Sequence, residues 1–268
     1  MNESQESLAV RDERLVWHPF TQMKTAGLHT PIVKAEGALL IGENDETYID
    51  AIGSWWVNLH GHSHPHITNS IGEQAQKMAH VMFAGLTHPP AVELCERLQR
   101  WLPRNLKRFF FSDNGSTAVE IALKMAIQYR HKADAKVNEG KFSGNGAKAN
   151  EPYKIIAFEG SYHGDTFGAM AVGERDVFVK HFEPYLFEVI TIPAPVPGQE
   201  TKSERALKKA LETERVAAFI FEPLIQAAFG MRTHDAGALD RLVKLCRQNN
   251  VFTIADEVMT GFFRTGTC

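Results

Sequence analysis

A chain of 268 residues with 44% hydrophobic and 23% charged residues can bury one large core, or one large and one small. Its net charge of −3 supplies no basic surface for nucleic acid or an acidic membrane. No apolar run reaches the ~18 residues of a membrane span, and the polar N-terminus MNESQESLAVRDERL lacks an apolar signal core. These features predict a cytoplasmic enzyme.

Residues 1–60 carry frequent turn signals and short extended runs, PIVKAEGALLIG and ETYIDAIGSWWVNLHG, which predict strands and loops. From about residue 61 the pattern becomes alternating. Helices are expected over Ile67–Phe83 and Pro89–Leu102, then an aromatic strand in KRFFFSD and a helix in STAVEIALKMAIQYRHK. Residues 131–151 are polar and rich in Gly, Ala, Asn and Lys, with little to bury, and read as a solvated insertion. Beyond them, KIIAFEG, FEVITIP, VAAFIFEP and VFTIADE read as buried strands, alternating with the helices SERALKKALETER and AGALDRLVKLCRQNN. Short apolar strands alternating with helices predict an α/β fold, a mainly parallel sheet covered on both faces.

In such sheets ligands bind outside the carboxyl ends of the strands. After FFF comes Ser112-Asp113-Asn114-Gly115-Ser116-Thr117, where Thr117-x-x-Glu120 has the form of a capping box. Gly115 and Ser116 then lie where free backbone N–H groups favour an anion; a plain strand-to-helix turn is the alternative. After KIIAF comes Glu159-Gly160-Ser161-Tyr162-His163-Gly164-Asp165-Thr166, dense in functional groups, with Tyr162 able to stack on a planar ligand. Glu222 and Asp256-Glu257 end two further strands. A buried Asp256 needs a partner, either a cationic ring nitrogen or an arginine such as Arg264. Trp55 and Trp56 are expected on a strand, facing opposite sides, one in the core and one lining a pocket. In HGHSHPH, Gly61 and Pro65 break the regular extension that would align His60, His62, His64 and His66, so no metal site is expected there. Cys95 and Cys246 fall on apolar helical faces and read as small core residues.

Taken in order, GSWWVNLHGHSHP, SDNGSTAVEIALKMA, GSYHGDT, FEPLIQAAFGM and IADEVMTGFFRTG make this chain resemble the class III aminotransferases, pyridoxal-phosphate enzymes of fold type I. The likeness runs from about Trp17 to Cys268 and is specific as a set. It implies that Gly115 and Ser116 hold the cofactor phosphate. Tyr162 would lie beside the cofactor ring and the substrate, and Asp256 would pair with the pyridine nitrogen. Trp55, Trp56 and Phe20 would meet the substrate, and Phe20 stands where many members carry tyrosine. It further implies a homodimer, a small lobe beginning in residues 1–60 and a large domain over 61–268. The Schiff-base lysine and a substrate-carboxylate arginine are expected beyond Cys268, so that this segment alone would lack turnover. Other class III enzymes, of ω-amino acid or ornithine type, would share fold and cofactor; a non-catalytic protein on this fold is the contrasting reading.

Overall fold

The apolar runs of the second half pair side by side. The structure, a computed structural model, describes residues 6–138, 151–174 and 177–266. The chain divides into two units, Met1–Glu93 and Leu94–Cys268.

In the second unit, β4 (Lys154–Phe158), β5 (Val189–Ile192), β6 (Val216–Phe221) and β9 (Phe252–Ala255) form one parallel sheet in the order β5-β4-β6-β9. The alternation of side chains along each strand separates two cores. Ile156, Phe158, Phe219 and Phe221 point to one face, against Leu207 and Leu211 of α7 (Glu200–Thr213) and Leu239, Leu242 and Cys246 of α8 (Ala236–Gln248). Ile155, Ala157, Ala218 and Ile220 point to the other, against Val119, Leu123 and Ala126 of α5 (Gly115–Asn138) and Ala169 of α6 (Phe167–Ala171). Each large side chain so removed from water contributes about 1.5–3 kcal/mol. This is the doubly covered α/β sheet that the alternating pattern predicts. A short hairpin, β7 (Ile225–Gln226) with β8 (Arg232–Thr233), completes the unit. Burial pushes the Cys246 thiol up to about 12, which keeps it a neutral core residue.

Three expectations are corrected here. KRFFFSD joins no sheet among the described residues. A strand needs a ladder partner, and none of the described strands lies beside this one. The helix after it does not stop at the expected insertion: α5 continues to Asn138. Asp134 on its last turns accepts from Tyr153 Oη and Arg215 Nη2, both at 2.5 Å, so it is tied to the residues that lead into β4 and β6, while His131 and Lys132 are exposed as expected. The remainder of that insertion, 139–150, lies outside the described residues. Finally, Asn114 caps α5, its Oδ1 accepting from Thr117 N at 2.9 Å. The helix therefore starts two residues before the expected Thr117 cap, and Glu120 turns to another task described below.

The first unit is built differently. A short helix, α1 (Leu8–Leu15), which the sequence reading did not anticipate, receives its N-terminal cap from outside: Leu8 N donates to both oxygens of Glu43, at 3.2 and 3.3 Å. β1 (Ile32–Glu36), β2 (Leu39–Gly42) and β3 (Thr47–Ile49) form an antiparallel meander. Trp55 and Trp56 are not on a strand. They close a left-handed turn, α2 (Gly53–Trp56), with φ of 56° at Gly53, 49° at Ser54, 56° at Trp55 and 69° at Trp56. L-residues pay roughly 1–2 kcal/mol each in this region, so the turn must be held by something else. α3 (Pro65–Lys77) starts with proline at its first position, where no N–H is needed. α4 (Pro89–Leu98) crosses the boundary between the units. No described helix is long and apolar enough to cross a membrane.

Candidate active site

β9 ends at Ala255, and the next residue puts a carboxylate beyond the sheet. The Asp256 side chain is 7% exposed. Its Oδ2 lies 2.7 Å from His163 Nδ1, and its Oδ1 accepts from Val258 N at 3.1 Å. A carboxylate has about four acceptor positions, so the group keeps capacity for further donors. His163 comes from the loop after β4 and is itself buried. Its Nε2 has no hydrogen-bond partner among the described residues.

The same loop reaches the start of α5. Ser116 Oγ accepts from Thr166 N at 3.0 Å and shares a proton with Thr166 Oγ1 at 2.8 Å. Gly164 makes the approach possible: its φ is +117°, and a Cβ there would run into the Ser116 side chain. Gly115 is required for packing, since a Cβ would lie 2.7 Å from Val258 Cγ2. Glu120, free of any capping box, accepts from Gly168 N at 2.5 Å and pins α6 to α5. The start of α5 is thus linked to Asp256 by two routes, through Val258 and through the one loop that carries both His163 and Thr166. Gly115 and Ser116 open α5, Tyr162 follows β4 and Asp256 follows β9, and the loop contacts of Thr166 and His163 tie these three places together.

Tyr162 is half exposed, and its hydroxyl donates to Asp165 Oδ2 at 2.9 Å. Burial first, then the Asp165 hydrogen bond and the charges of Asp165 and Asp256, push its phenol up to about 12. It is therefore a neutral donor and a flat apolar surface at neutral pH. Its backbone is held from beneath by Glu222, whose Oε1 accepts from Tyr162 N at 3.1 Å and whose Oε2 accepts from Ala227 N at 3.0 Å. Burial raises the Glu222 carboxyl above the ordinary carboxylate range, opposed by those two backbone hydrogen bonds. A second clamp is formed by Arg232, which donates to Gln226 Oε1 and to the Glu159 carbonyl, while Gln226 Nε2 donates to the same carbonyl at 2.9 Å.

His163, Thr166, Val258 and the backbone role of Glu222 escaped the sequence reading. The available signal was the loop Ser-Tyr-His-Gly-Asp-Thr itself. Such a loop carries an imidazole to the neighbouring strand end, where His163 pairs with Asp256 at 2.7 Å.

In the first unit, Phe20 and Trp55 meet edge to face at 5.7 Å between ring centroids, so two of the expected substrate residues share one wall. His62 Nε2 lies 2.8 Å from Asp50 Oδ2. His60 and His64 are in edge contact at 6.4 Å. Asp12, His18 and His29 bring three donor atoms within 4.8 Å of one another. The two imidazoles, however, are stacked at 3.8 Å with 11° between their planes. Their lone pairs run in parallel planes and do not converge on one ion, as ligands of a metal must. Asp12 and His18, at 2.7 Å, form a hydrogen-bonded pair.

The second unit fits pyridoxal phosphate. Gly115 and Ser116 present N–H groups at the positive end of a 24-residue helix with no acceptor among the described residues, as an anionic phosphate requires. Asp256 offers a buried negative charge for a protonated ring nitrogen, and Tyr162 a flat face. Comparison with known proteins agrees. The aminotransferase class III family profile matches residues 21–268. The chain is 45% identical to the adenosylmethionine-8-amino-7-oxononanoate aminotransferase of Synechococcus elongatus, over 94% of this chain and 58% of that protein. It is 39% identical to the enzyme of the same name from Staphylococcus aureus, over 99% and 59%. The chain thus spans under two thirds of the length of these relatives. The crystal structure of adenosylmethionine-8-amino-7-oxononanoate aminotransferase from Methanocaldococcus jannaschii superimposes with a TM-score of 0.85 at 35% identity, over 97% of this chain and 56% of that one. A PLP-bound amine transaminase from an uncultivated Pseudomonas species gives 0.75 at 26%, over 92% and 56%. With these matches and a site that suits pyridoxal phosphate as cofactor, the chain belongs to the class III aminotransferases.

Proposed function

We propose that this sequence serves an enzyme of biotin biosynthesis, which transfers an amino group to 8-amino-7-oxononanoate to give 7,8-diaminononanoate, with S-adenosylmethionine as donor. The names borne by the relatives described above support the reaction. The observation that carries the mechanism is the double link joining the α5 N-terminus to Asp256, through Val258 and through the loop of His163 and Thr166. When bound, pyridoxal phosphate supplies an electron sink for the substrate carbon. The chain's own residues do the rest. Gly115 and Ser116 fix the anionic end. Asp256, oriented by His163 and Val258, holds a proton on the ring nitrogen. Tyr162 covers the ring, excludes water and stays protonated. Phe20, Trp55 and Trp56 of the first unit are assigned as substrate contacts, and so, in the second unit, is Tyr162. Phe20 in place of the tyrosine common in the family removes one hydroxyl donor, which makes lysine the competing amino donor. A cytoplasmic homodimer, with residues 1–60 in a small lobe and 61–268 in the cofactor domain, completes the reading.

None of the chain's lysines is assigned here as the cofactor-binding base. Lys154 opens β4, at the end of the strand away from the site, and is paired with Glu188 at 2.8 Å and Glu214 at 3.1 Å. Lys208 and Lys244 pair with Glu204 and Asp240 on helix surfaces. The 268-residue chain is accordingly expected to bind pyridoxal phosphate weakly and to show no amino transfer from either donor. Absorbance titration and a product assay with both donors check this. Turnover with a specific lysine of this chain trapped by borohydride would refute the assignment. In the active enzyme containing this sequence, Asp256→Asn should lower kcat by orders of magnitude more than it lowers cofactor affinity. The phosphate anchor survives that change and the ring charge does not. Equal loss of both would remove Asp256 from the role given to it.

A further inference from the structure

The feature of the first unit with no counterpart in the second is its run of four consecutive left-handed residues, Gly53 to Trp56. Only the first is glycine, which adopts this region freely; serine and two tryptophans do not. One side chain holds the run. Asp50 Oδ1 accepts from Ser54 N at 2.9 Å, and its Oδ2 accepts from Ser54 Oγ at 2.8 Å. The Asp50 carbonyl accepts from Gly53 N at 3.2 Å. His62 closes the far side of the carboxylate at 2.8 Å, and its own position is fixed by a backbone bridge to Gly37, with N–H···O distances of 2.8 and 3.0 Å. The Asp50 side chain is 6% exposed. The Ser54 backbone hydrogen bond, then those of His62 and the Ser54 hydroxyl, hold its carboxyl below the ordinary carboxylate value. Strain kept in place by a dedicated buried carboxylate marks a segment whose geometry is used. What the turn carries is Trp55, set edge-on against Phe20.

We propose that Asp50 is a positioning residue: by holding the left-handed turn it fixes the orientation of Trp55 in the wall that recognises the keto substrate, with His62 steadying the carboxylate. The inference rests on the reading of Trp55 as a substrate contact. Asp50 touches neither substrate nor cofactor in this scheme. Its removal acts on binding of the keto substrate and leaves the bond-making steps alone.

Three variants test this in the active enzyme. Trp55→Ala tests the wall itself: an unchanged KM for 8-amino-7-oxononanoate would sink the reading of the wall, whatever Asp50 does. Given a raised KM in Trp55→Ala, Asp50→Asn is expected to raise the same KM about ten-fold with kcat within about two-fold. Asparagine keeps an oxygen for Ser54 N–H but turns an acceptor into a donor facing the Ser54 hydroxyl and His62. Adding Ser54→Gly to Asp50→Asn should restore most of the KM, because glycine takes the left-handed conformation without support. A merely structural loss would not be rescued in this way. An Asp50→Asn enzyme with wild-type KM, or one not rescued by Ser54→Gly, overturns the proposal. If Asp50→Asn does not fold, Ser54→Ala removes only the hydroxyl contact and should still raise KM about two- to three-fold; no change would again overturn it. A readout independent of activity uses the 268-residue chain labelled with fluorotryptophan, which has four tryptophans. The resonance assigned to Trp55 should move or broaden in Asp50→Asn and return in the double variant, while that of Trp101 stays fixed. An unmoved Trp55 signal would count against Asp50.

Discussion

The two units reach an ordered backbone by opposite means. In the second, β4 and β6 are sealed on both faces, and Ile155, Ile156, Phe219 and Ile220 have no measurable exposure. Burial alone fixes their register, since a one-residue slip would exchange the two cores. In the first, the large apolar residues stay at the surface, with Trp17 87%, Val57 77% and Ile49 75% exposed. Beside the β1-β2-β3 ladder, order there draws on single carboxylates: Glu43 on the N-terminus of α1, Asp12 on His18, and Asp50 on the left-handed turn. Apolar burial is non-directional and tolerant in its details. A carboxylate clamp is directional, so it can hold a conformation that burial would not choose.

The largest effect should come from the second unit's core. Phe219→Ala should lower the unfolding free energy by about 3–5 kcal/mol, because the residue packs against Phe158 and Phe221 and the helices cannot close the cavity. Urea titration followed by far-UV circular dichroism measures it; a loss below about 1 kcal/mol would mean the sheet core does not dominate.

The next effect separates the units by pH. His234 is buried, neither ring nitrogen has a hydrogen-bond partner among the described residues, and burial, then the charge of Arg232, depress its value from 6.5 to about 4. Between those values the unfolded chain takes up a proton and the folded chain does not. Stability therefore falls as pH drops from 6.5 toward 4, by up to about 3 kcal/mol from this residue alone. His234→Leu should flatten that part of the profile. Asp50 behaves in the opposite sense. Its depressed value means the stabilisation is complete above 3.8 and is lost only as pH falls below it. The two units should thus respond to acid in sequence, the sheet unit first, and fluorotryptophan spectra of Trp55 and Trp101 would follow each.

Gly164→Ala should cost about 1–3 kcal/mol of local stability, since its +117° φ and the Ser116 side chain both oppose a Cβ. Weakened cofactor binding, read by absorbance titration, should accompany it. The smallest effect belongs to the first unit's surface: Ile49→Ala should change stability by no more than about 0.5 kcal/mol. A larger loss would show that this exposed face is covered in the assembled protein.

What the sequence revealed divides along the same line. β4, β5, β6, β9, α7 and α8 were legible because burial leaves a periodic apolar trace in each of them. The strand-end positions of Glu222 and Asp256 followed from that trace. The left-handed turn was not legible. Backbone handedness is not written in residue type beyond Gly53, and Trp-Trp after a glycine suggests a strand equally well. The His163–Asp256 pair joins residues 93 apart, and no local pattern encodes such a contact. Asn114 displaced Thr117 as cap because both side chains can accept the same class of N–H, and local geometry decides between them. KRFFFSD has the composition of a strand, but composition cannot supply its neighbour.

The length of α5 has a practical consequence. At 1.5 Å per residue, the 22 steps from Ser116 to Asn138 separate the anion-holding end from the far end by about 33 Å. The Asp134 contacts to Tyr153 and Arg215 moor the helix before that far end is reached. A fluorophore or surface tether fixed to the exposed Lys132, 16 residues or about 24 Å along the helix from Ser116, can therefore be installed without touching the anion-holding end.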